Sequence, residues 1–206
     1  MDFKVAVAAP ADVSAAVEVW RAANTARGLP PSEQRVQRVV EKLQAVDASV
    51  VLGRTDLRVT AVALAEPGRA DDGSGEVVPG CGHVSMVFVH PDLWGQGLGA
   101  TLMAGLHANT DRLGWVRTSL WTRQSNARAL RLYLRCGYRP TGRAAALRAG
   151  DPIVHWSAAG DCVTSRPARR TTSGLLRSEA LARPRAARSQ QVGTYLSLWV
   201  PVGCST

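Results

Sequence analysis

Val87-Phe88-Val89-His90-Pro91-Asp92-Leu93-Trp94-Gly95-Gln96-Gly97-Leu98-Gly99-Ala100-Thr101-Leu102-Met103 is the stretch from which the rest of the chain can be read. The apolar run HVSMVFVHP (83–91) predicts a strand that Pro91 ends. Then come HPDLW, three glycines within five residues, and a helix expected from about Gly97 to Leu113. Leu98, Leu102, Leu106 and Leu113 mark its buried stripe. Glycines at a helix start let the backbone approach a phosphate closely, and the first-turn N–H groups have no partner within the helix. The helix dipole adds an attraction for an anion. The segment therefore predicts a pyrophosphate ligand without saying which one.

Gly95-Gln96-Gly97-Leu98-Gly99-Ala100 also fits the dinucleotide fingerprint G-x-G-x-x-G/A. Three observations oppose that reading. His90 to Trp94 separate the turn from its strand, and residues 115–123 (WVRTSLWTR) lack the acidic residue expected about 20 positions on. The preceding elements also do not form a βαβ series. Arg123 keeps an NADP-binding oxidoreductase as the remaining alternative of this kind. No G-K-[ST] is present, which excludes a nucleoside-triphosphate loop.

Working outward, FKVAVAA (3–9) reads as a strand, and Asp12 as the N-cap of a helix carrying Val13, Val17 and Trp20. Gly28-Leu29-Pro30-Pro31 breaks it. Ser32 opens a second helix with Val36, Val39, Val40 and Leu43 at helical spacing. SVVLG (49–53) and RVTAVALAE (58–66) read as strands, and Pro67 to Gly80 as a polar, glycine-rich mobile loop. After the glycine turn and its helix, VRTSLWT (116–122) is a strand. A helix over Ala127–Cys136 follows, with Ser125 or Asn126 as N-cap and Gly137 as its stop. YRPTGRAAAL (138–147) and PIVHWSA (152–158) complete a mixed α/β or α+β order with parallel and antiparallel neighbours.

The net charge is +9, with 25 Lys and Arg of which only Lys4 and Lys42 are lysine. From Asp161 on, seven arginines face two acids, so the excess sits in a tail rather than on a folded basic face, which argues against a nucleic-acid binder. That tail, RPARRTTSGLLRSEALARPRAARSQQ and beyond, has the composition of a disordered segment. One reading makes it a read-through or frame-shifted extension. The four cysteines are scattered and read as reduced thiols of a cytoplasmic protein. The start does not read as a signal peptide, and no apolar run approaches the ~20 residues a bilayer needs, so a chain without leader or membrane span is expected. The four histidines have no ligand-like spacing, so no metal is expected.

VFVHPDLWGQGLGATLM followed by QSNARALRLYLRCGYRPTGR resembles the GNAT superfamily of N-acetyltransferases. In that family the turn has the form Q/R-x-x-G-x-G/A. Gly97 and Gly99 match, while Trp94 stands where Gln or Arg is usual. In the second block Asn126, Ala129, Leu132-Tyr133 and Gly137-Tyr138 match. The resemblance implies a GNAT-like, mostly antiparallel central sheet flanked by helices over residues 1–159, with 160–206 as the basic tail. It further implies acetyl-CoA as co-substrate. Backbone groups of Val87, Phe88 and Val89 would pair with its pantetheine arm, and Trp94, Gly95, Gln96, Gly97, Leu98, Gly99 and Ala100 would hold its pyrophosphate.

Asn126 and Tyr133 are seven residues apart, so on a helix they share one face about 10 Å apart. Asn126 can then hydrogen-bond a ligand amide, and the resemblance makes Tyr133 the general acid for the departing thiolate. For the base that takes the proton of the amine, Glu66 and His83 are the candidates, with Ser85 as a water positioner. Trp20, Asn24, Arg27 and the strands after Tyr138 are expected to select the acceptor. The function implied is acetyl transfer from acetyl-CoA to a primary amine of a small molecule or peptide in a ternary complex. A non-catalytic CoA-binding module is the alternative, and a homodimer is left open.

Overall fold

The computed structural model describes residues 2–56, 58–147 and 150–159. The expected tail, 160–206, lies outside the described residues. Strand β1 (Phe3–Val7) leads into helices α1 (Val13–Thr25) and α2 (Glu33–Gln44). Strands β2 (Ser49–Thr55), β3 (Arg58–Arg69) and β4 (Val77–Val89) follow, then helix α3 (Leu98–Arg112) and strand β5 (Arg117–Arg123). Helix α4 (Ala127–Arg135) and strands β6 (Arg139–Ala146) and β7 (Pro152–Ala159) complete the order. The seven strands form one sheet in the order β1-β2-β3-β4-β5-β7-β6. Only β4 and β5 run parallel; every other neighbouring pair is antiparallel. The mixed, mostly antiparallel sheet flanked by helices is therefore present, and it is not the doubly wound parallel sheet that a dinucleotide fingerprint requires.

β3 shows how the sheet is clad on both faces. Ala61, Ala63 and Ala65 join the apolar cluster of Leu102, Met103 and Leu106 from α3. Val62 and Leu64 join the cluster of Val17, Trp20, Val39 and Leu43 from α1 and α2. All five β3 residues are fully buried, which explains why this strand reads as a continuous apolar run. The small alanines let α3 lie close to the sheet, and a Cβ on Gly105 would overlap Val5 there.

The segment Pro67–Gly80 departs from the expected loop. β3 continues to Arg69 and β4 begins at Val77, with Arg69 paired to Val77. Ala70 N–H donates to the Glu76 carbonyl at 2.9 Å, and a short turn over Asp71–Gly73 closes the hairpin. The register slips between Pro67 and Arg69. That irregularity accommodates a residue with no N–H, so proline and glycine here mark a bulged strand rather than its end.

A second bulge lies in the middle of β4. Leu64 faces Met86 and Ala65 faces Val84, which leaves Ser85 as the extra residue. Val84 and Val87 therefore pack with the α3 side, and Met86 and Phe88 with the α1–α2 side.

Candidate active site

The parallel ladder between β4 and β5 covers only Cys81, Gly82 and His83, paired with Arg117, Thr118 and Ser119. From Val84 on, β4 keeps β3 as its ladder partner while β5 diverges. The sheet thus opens into a wedge, along one side of which run the backbone groups of Val87, Phe88 and Val89. An extended chain could add there as a strand.

The glycine turn follows β4. Gly95 and Gly97 have φ of +86° and +80°, left-handed values that side-chain-bearing residues rarely adopt. Gly97 is the N-cap of α3, so the N–H groups of Leu98 and Gly99 open the helix without intrahelical partners. The expected start at Gly97 is thus correct to one residue. Trp94 Nε1–H donates to the Val89 carbonyl at 2.7 Å, tying the turn back to the end of β4. The Arg128 guanidinium lies over the Trp94 ring, 5.5 Å from its centroid. Arg128 Nη2 would be 3.7 Å from a Cβ on Gly95, so this cation borders the turn.

Of the two expected caps, Ser125 and Asn126, it is Asn126 that caps α4. Its Oδ1 accepts the Ala129 N–H at 3.1 Å, and the residue is 3% exposed. Its Nδ2 is buried and has no hydrogen-bond partner. A buried amide N–H without a partner costs about 1–3 kcal/mol, which a ligand carbonyl would recover. Tyr133, two turns on, is buried with its ring 5.8 Å from that of Tyr138. Burial, reinforced by Tyr138 and Cys136, raises its phenol well above the ordinary tyrosine range, so it stays protonated. The second tyrosine is fastened: Tyr138 Oη lies 2.8 Å from Thr118 Oγ1 and 3.0 Å from His107 Nε2.

On the α2 side of the wedge is a cavity of about 380 Å³ lined by Lys42, Glu66, His83, Ser85, Trp121 and His155, among others. Glu66 faces His83 across the β3–β4 ladder and forms an ion pair with Lys42 from α2. His83 Nδ1 lies 3.2 Å from Ser119 Oγ. Burial lowers the His83 imidazole to about 4; Glu66 opposes the shift and Lys42 reinforces it. His155, 9% exposed, is likewise lowered to about 4 by burial, then by Arg143 and His83. Its Nδ1 lies 2.9 Å from Thr141 Oγ1. Both imidazoles are neutral at pH 7. Ser85 Oγ, on the bulge, is buried without a hydrogen-bond partner.

The structure thus brings Glu66, His83 and Ser85 together in one cavity; Val87–Val89 run along the wedge, Trp94–Ala100 follow β4, and Asn126 opens the helix whose Arg128 lies on Trp94. Tyr133 is not among the cavity-lining residues; it packs in the α3-side apolar cluster. Of the expected acceptor-selecting residues, Trp20 and Asn24 lie on the buried face of α1, and Asn24 Nδ2 donates to the Trp20 carbonyl. The strands after Tyr138 do supply cavity wall, through Thr141, Arg143, His155 and Ser157. Arg123 is engaged with Asp151 at 3.1 Å. Sequence reasoning missed Lys42, Arg128, Arg143 and His155. Arg128 had one local signal, its place beside Asn126 in the first turn of α4. The other three reach the site only through strand and helix packing. Among the described residues no group of His, Cys, Asp and Glu could hold a metal ion, and no helix is long and apolar enough to cross a membrane.

Residues 30–138, more than half of the chain, match the family model described as the acetyltransferase (GNAT) family. A comparison with curated protein sequences finds no match. Among solved structures, the ribosomal-protein-S18-alanine N-acetyltransferase of Escherichia coli is similar, with a TM-score of 0.63 at 18% identity. The likeness covers 82% of this chain and all of that one. The ribosomal-protein-alanine N-acetyltransferase of Brucella melitensis gives a TM-score of 0.59 at 18% identity, over 76% of this chain and 99% of its own. The PaiA N-acetyltransferase of Thermoplasma acidophilum, in complex with coenzyme A, gives 0.54 at 12% identity, over 75% and 98%. At these identities the likeness is one of fold.

Proposed function

Because the chain belongs to the acetyltransferase (GNAT) family and is an N-acetyltransferase, we propose that it moves the acetyl group of acetyl-CoA to a primary amine by direct transfer in a ternary complex. The observation that carries this reading is the wedge between β4 and β5, with the glycine turn following β4 and the unpartnered Asn126 Nδ2 at the head of the helix whose Arg128 borders that turn. A thiol-terminated arm ending in a pyrophosphate fits this arrangement part by part. Residues 1–159 form the catalytic domain, and the free thiols of Cys81 and Cys136 suit a cytoplasmic location.

In this reading Val87, Phe88 and Val89 pair with the pantetheine amides along the open edge of β4, and Asn126 Nδ2 donates to one of their carbonyls. Gln96 to Ala100 hold the pyrophosphate through backbone N–H groups. Arg128 supplies the cation that Trp94 does not, held in place by stacking on that same ring. Acetyl-CoA supplies the activated carbonyl at the inner end of the wedge. A β4 backbone N–H facing its oxygen would stabilise the developing oxyanion by ~3 kcal/mol. Glu66 and His83 take the proton of the acceptor amine, with the Ser85 hydroxyl as the group that positions it. Burial holds His83 neutral, with its ring free of the extra proton when the amine arrives. The C–N bond forms as the C–S bond breaks, and Tyr133 gives its phenolic proton to the sulfur.

The test is release of free CoA thiol from acetyl-CoA across a panel of primary amines. Amine-dependent release is expected. Binding of CoA without release for any amine would make the chain a silent CoA-binding module, and no binding of CoA would remove the reading.

A further inference from the structure

Arginine supplies all but two of the 25 Lys and Arg side chains, and the two lysines stand in opposite surroundings. Lys4, on the edge strand β1, is 79% exposed and pairs with the exposed Asp2. Lys42 is in the last turn of α2, which packs on the sheet through Val39 and Leu43. Its side chain is 18% exposed, lines the cavity and is ion-paired with Glu66.

The cavity borders the place where acetyl transfer would occur. The β4–β5 ladder ends at His83 and Ser119, and two residues further along each strand stand Ser85 and Trp121. Both line the cavity, so it meets the inner end of the wedge, where the reading above puts the acetyl carbonyl. An acceptor that loses its proton to Glu66 must bring its nitrogen within hydrogen-bond distance of that carboxylate. Lys42 Nζ is already there, donating to Glu66 Oε2. It is a primary amine, the class of acceptor the reaction takes, whereas a guanidinium in the same place would keep its proton.

Resting on the acetyl-transfer reading above, we propose that Lys42 is itself an acetyl acceptor: with acetyl-CoA bound and no external amine in the cavity, the chain acetylates its own Lys42. The ammonium gives one proton to Glu66 Oε2, and the neutral nitrogen attacks the acetyl carbon. The C–N bond forms as the C–S bond breaks. The nitrogen loses a second proton to water, and the sulfur gains one from Tyr133, which solvent restores. The products are acetylated Lys42 and free CoA thiol, and the proton held by Glu66 passes to solvent. Acetyl-lysine carries no charge, so the modification also ends the ion pair and returns the Glu66 carboxylate to the cavity.

The exposed Lys4 serves as the control. The full chain is incubated with acetyl-CoA and no amine, and acetylation at each lysine is followed by peptide mass spectrometry. Non-enzymatic acetylation favours Lys4, whereas transfer within the site should modify Lys42 at least about tenfold faster, at a rate independent of protein concentration. Excess CoA, which fills the wedge without an acetyl group, should suppress acetylation of Lys42 and leave that of Lys4 unchanged. Glu66→Gln should slow Lys42 about 100-fold without changing Lys4, with thermal unfolding used to establish that the variant is folded. Lys4 acetylated as fast as Lys42, a Lys42 rate that rises with protein concentration, or one unmoved by CoA or by Glu66→Gln would overturn the proposal. So would an unmodified Lys42 while acetyl-CoA is bound; acetylation of added amines by the same sample would then leave acetyl transfer standing. Failure to bind acetyl-CoA at all would instead remove the reading on which the proposal rests.

Discussion

The Trp94 indole N–H donates to the Val89 carbonyl at 2.7 Å, so one side chain ties the last residue of β4 to the turn that opens α3. The same ring carries the Arg128 guanidinium. At a position where the family usually has Gln or Arg, Trp94 holds a cation contributed by another helix. Arg128→Ala is expected to raise the KM for acetyl-CoA several-fold and to weaken the dependence of that KM on salt, with little change for acetyl-pantetheine, which has no phosphate. Trp94→Phe keeps the ring but loses the hydrogen bond, at a cost of about 1 kcal/mol in stability. Titrating both variants with coenzyme A, and unfolding them thermally, checks these outcomes.

Asn126 has two duties that substitution separates. Its Oδ1 caps α4, while its Nδ2 has no partner. Asn126→Asp keeps a capping oxygen and removes the donor, so stability should hold while acetyl-CoA affinity falls about tenfold. Asn126→Ala should lose both, with about 1 kcal/mol of stability. Equal coenzyme affinity in Asn126→Asp and the parent chain would show that Nδ2 donates to no ligand.

Tyr133→Phe removes a phenol and leaves the packed ring. If that phenol protonates the thiolate, kcat should fall about 100-fold while the KM for acetyl-CoA and the thermal midpoint barely move. A parent-like kcat would assign Tyr133 to the apolar cluster alone.

His83 and His155 both titrate near 4 in the folded protein, below the ordinary histidine value of 6.5. Between those values the unfolded chain binds protons that the folded chain does not, so stability rises with pH across that window. These two groups therefore make no difference to stability above pH 6.5, and they destabilise the fold as the pH drops from 6.5 toward 4. Thermal midpoints measured over pH 4–8 should show this slope. His155→Gln should reduce it by about half and leave the His83 share; an unchanged slope in that variant would refute the assignment.

Much of this protein was legible in local sequence. The strand–HPDLW–glycine turn–helix succession predicted α3 to within one residue at each end, because positive φ at Gly97 and the unpaired first turn are local requirements. Asn126 as a cap, and its two-turn spacing to Tyr133, follow from helix geometry alone. The segment 67–80 was misread because proline and glycine terminate most strands. Whether they instead bulge one depends on the partner strand, here Arg69 against Val77.

The tertiary structure alone decided the rest. Neither the Ser85 bulge nor the divergence of β4 from β5 past His83 leaves a mark in periodicity, since both are properties of pairing between strands distant in sequence. The cavity gathers Lys42 from α2, Glu66 from β3, His83 from β4, Arg143 from β6 and His155 from β7. Their charges and neutral imidazoles depend on burial and on one another, and those quantities exist only once the sheet has formed. Local sequence therefore determined the glycine turn and the start of the helix behind it, and long-range packing determined what stands opposite them.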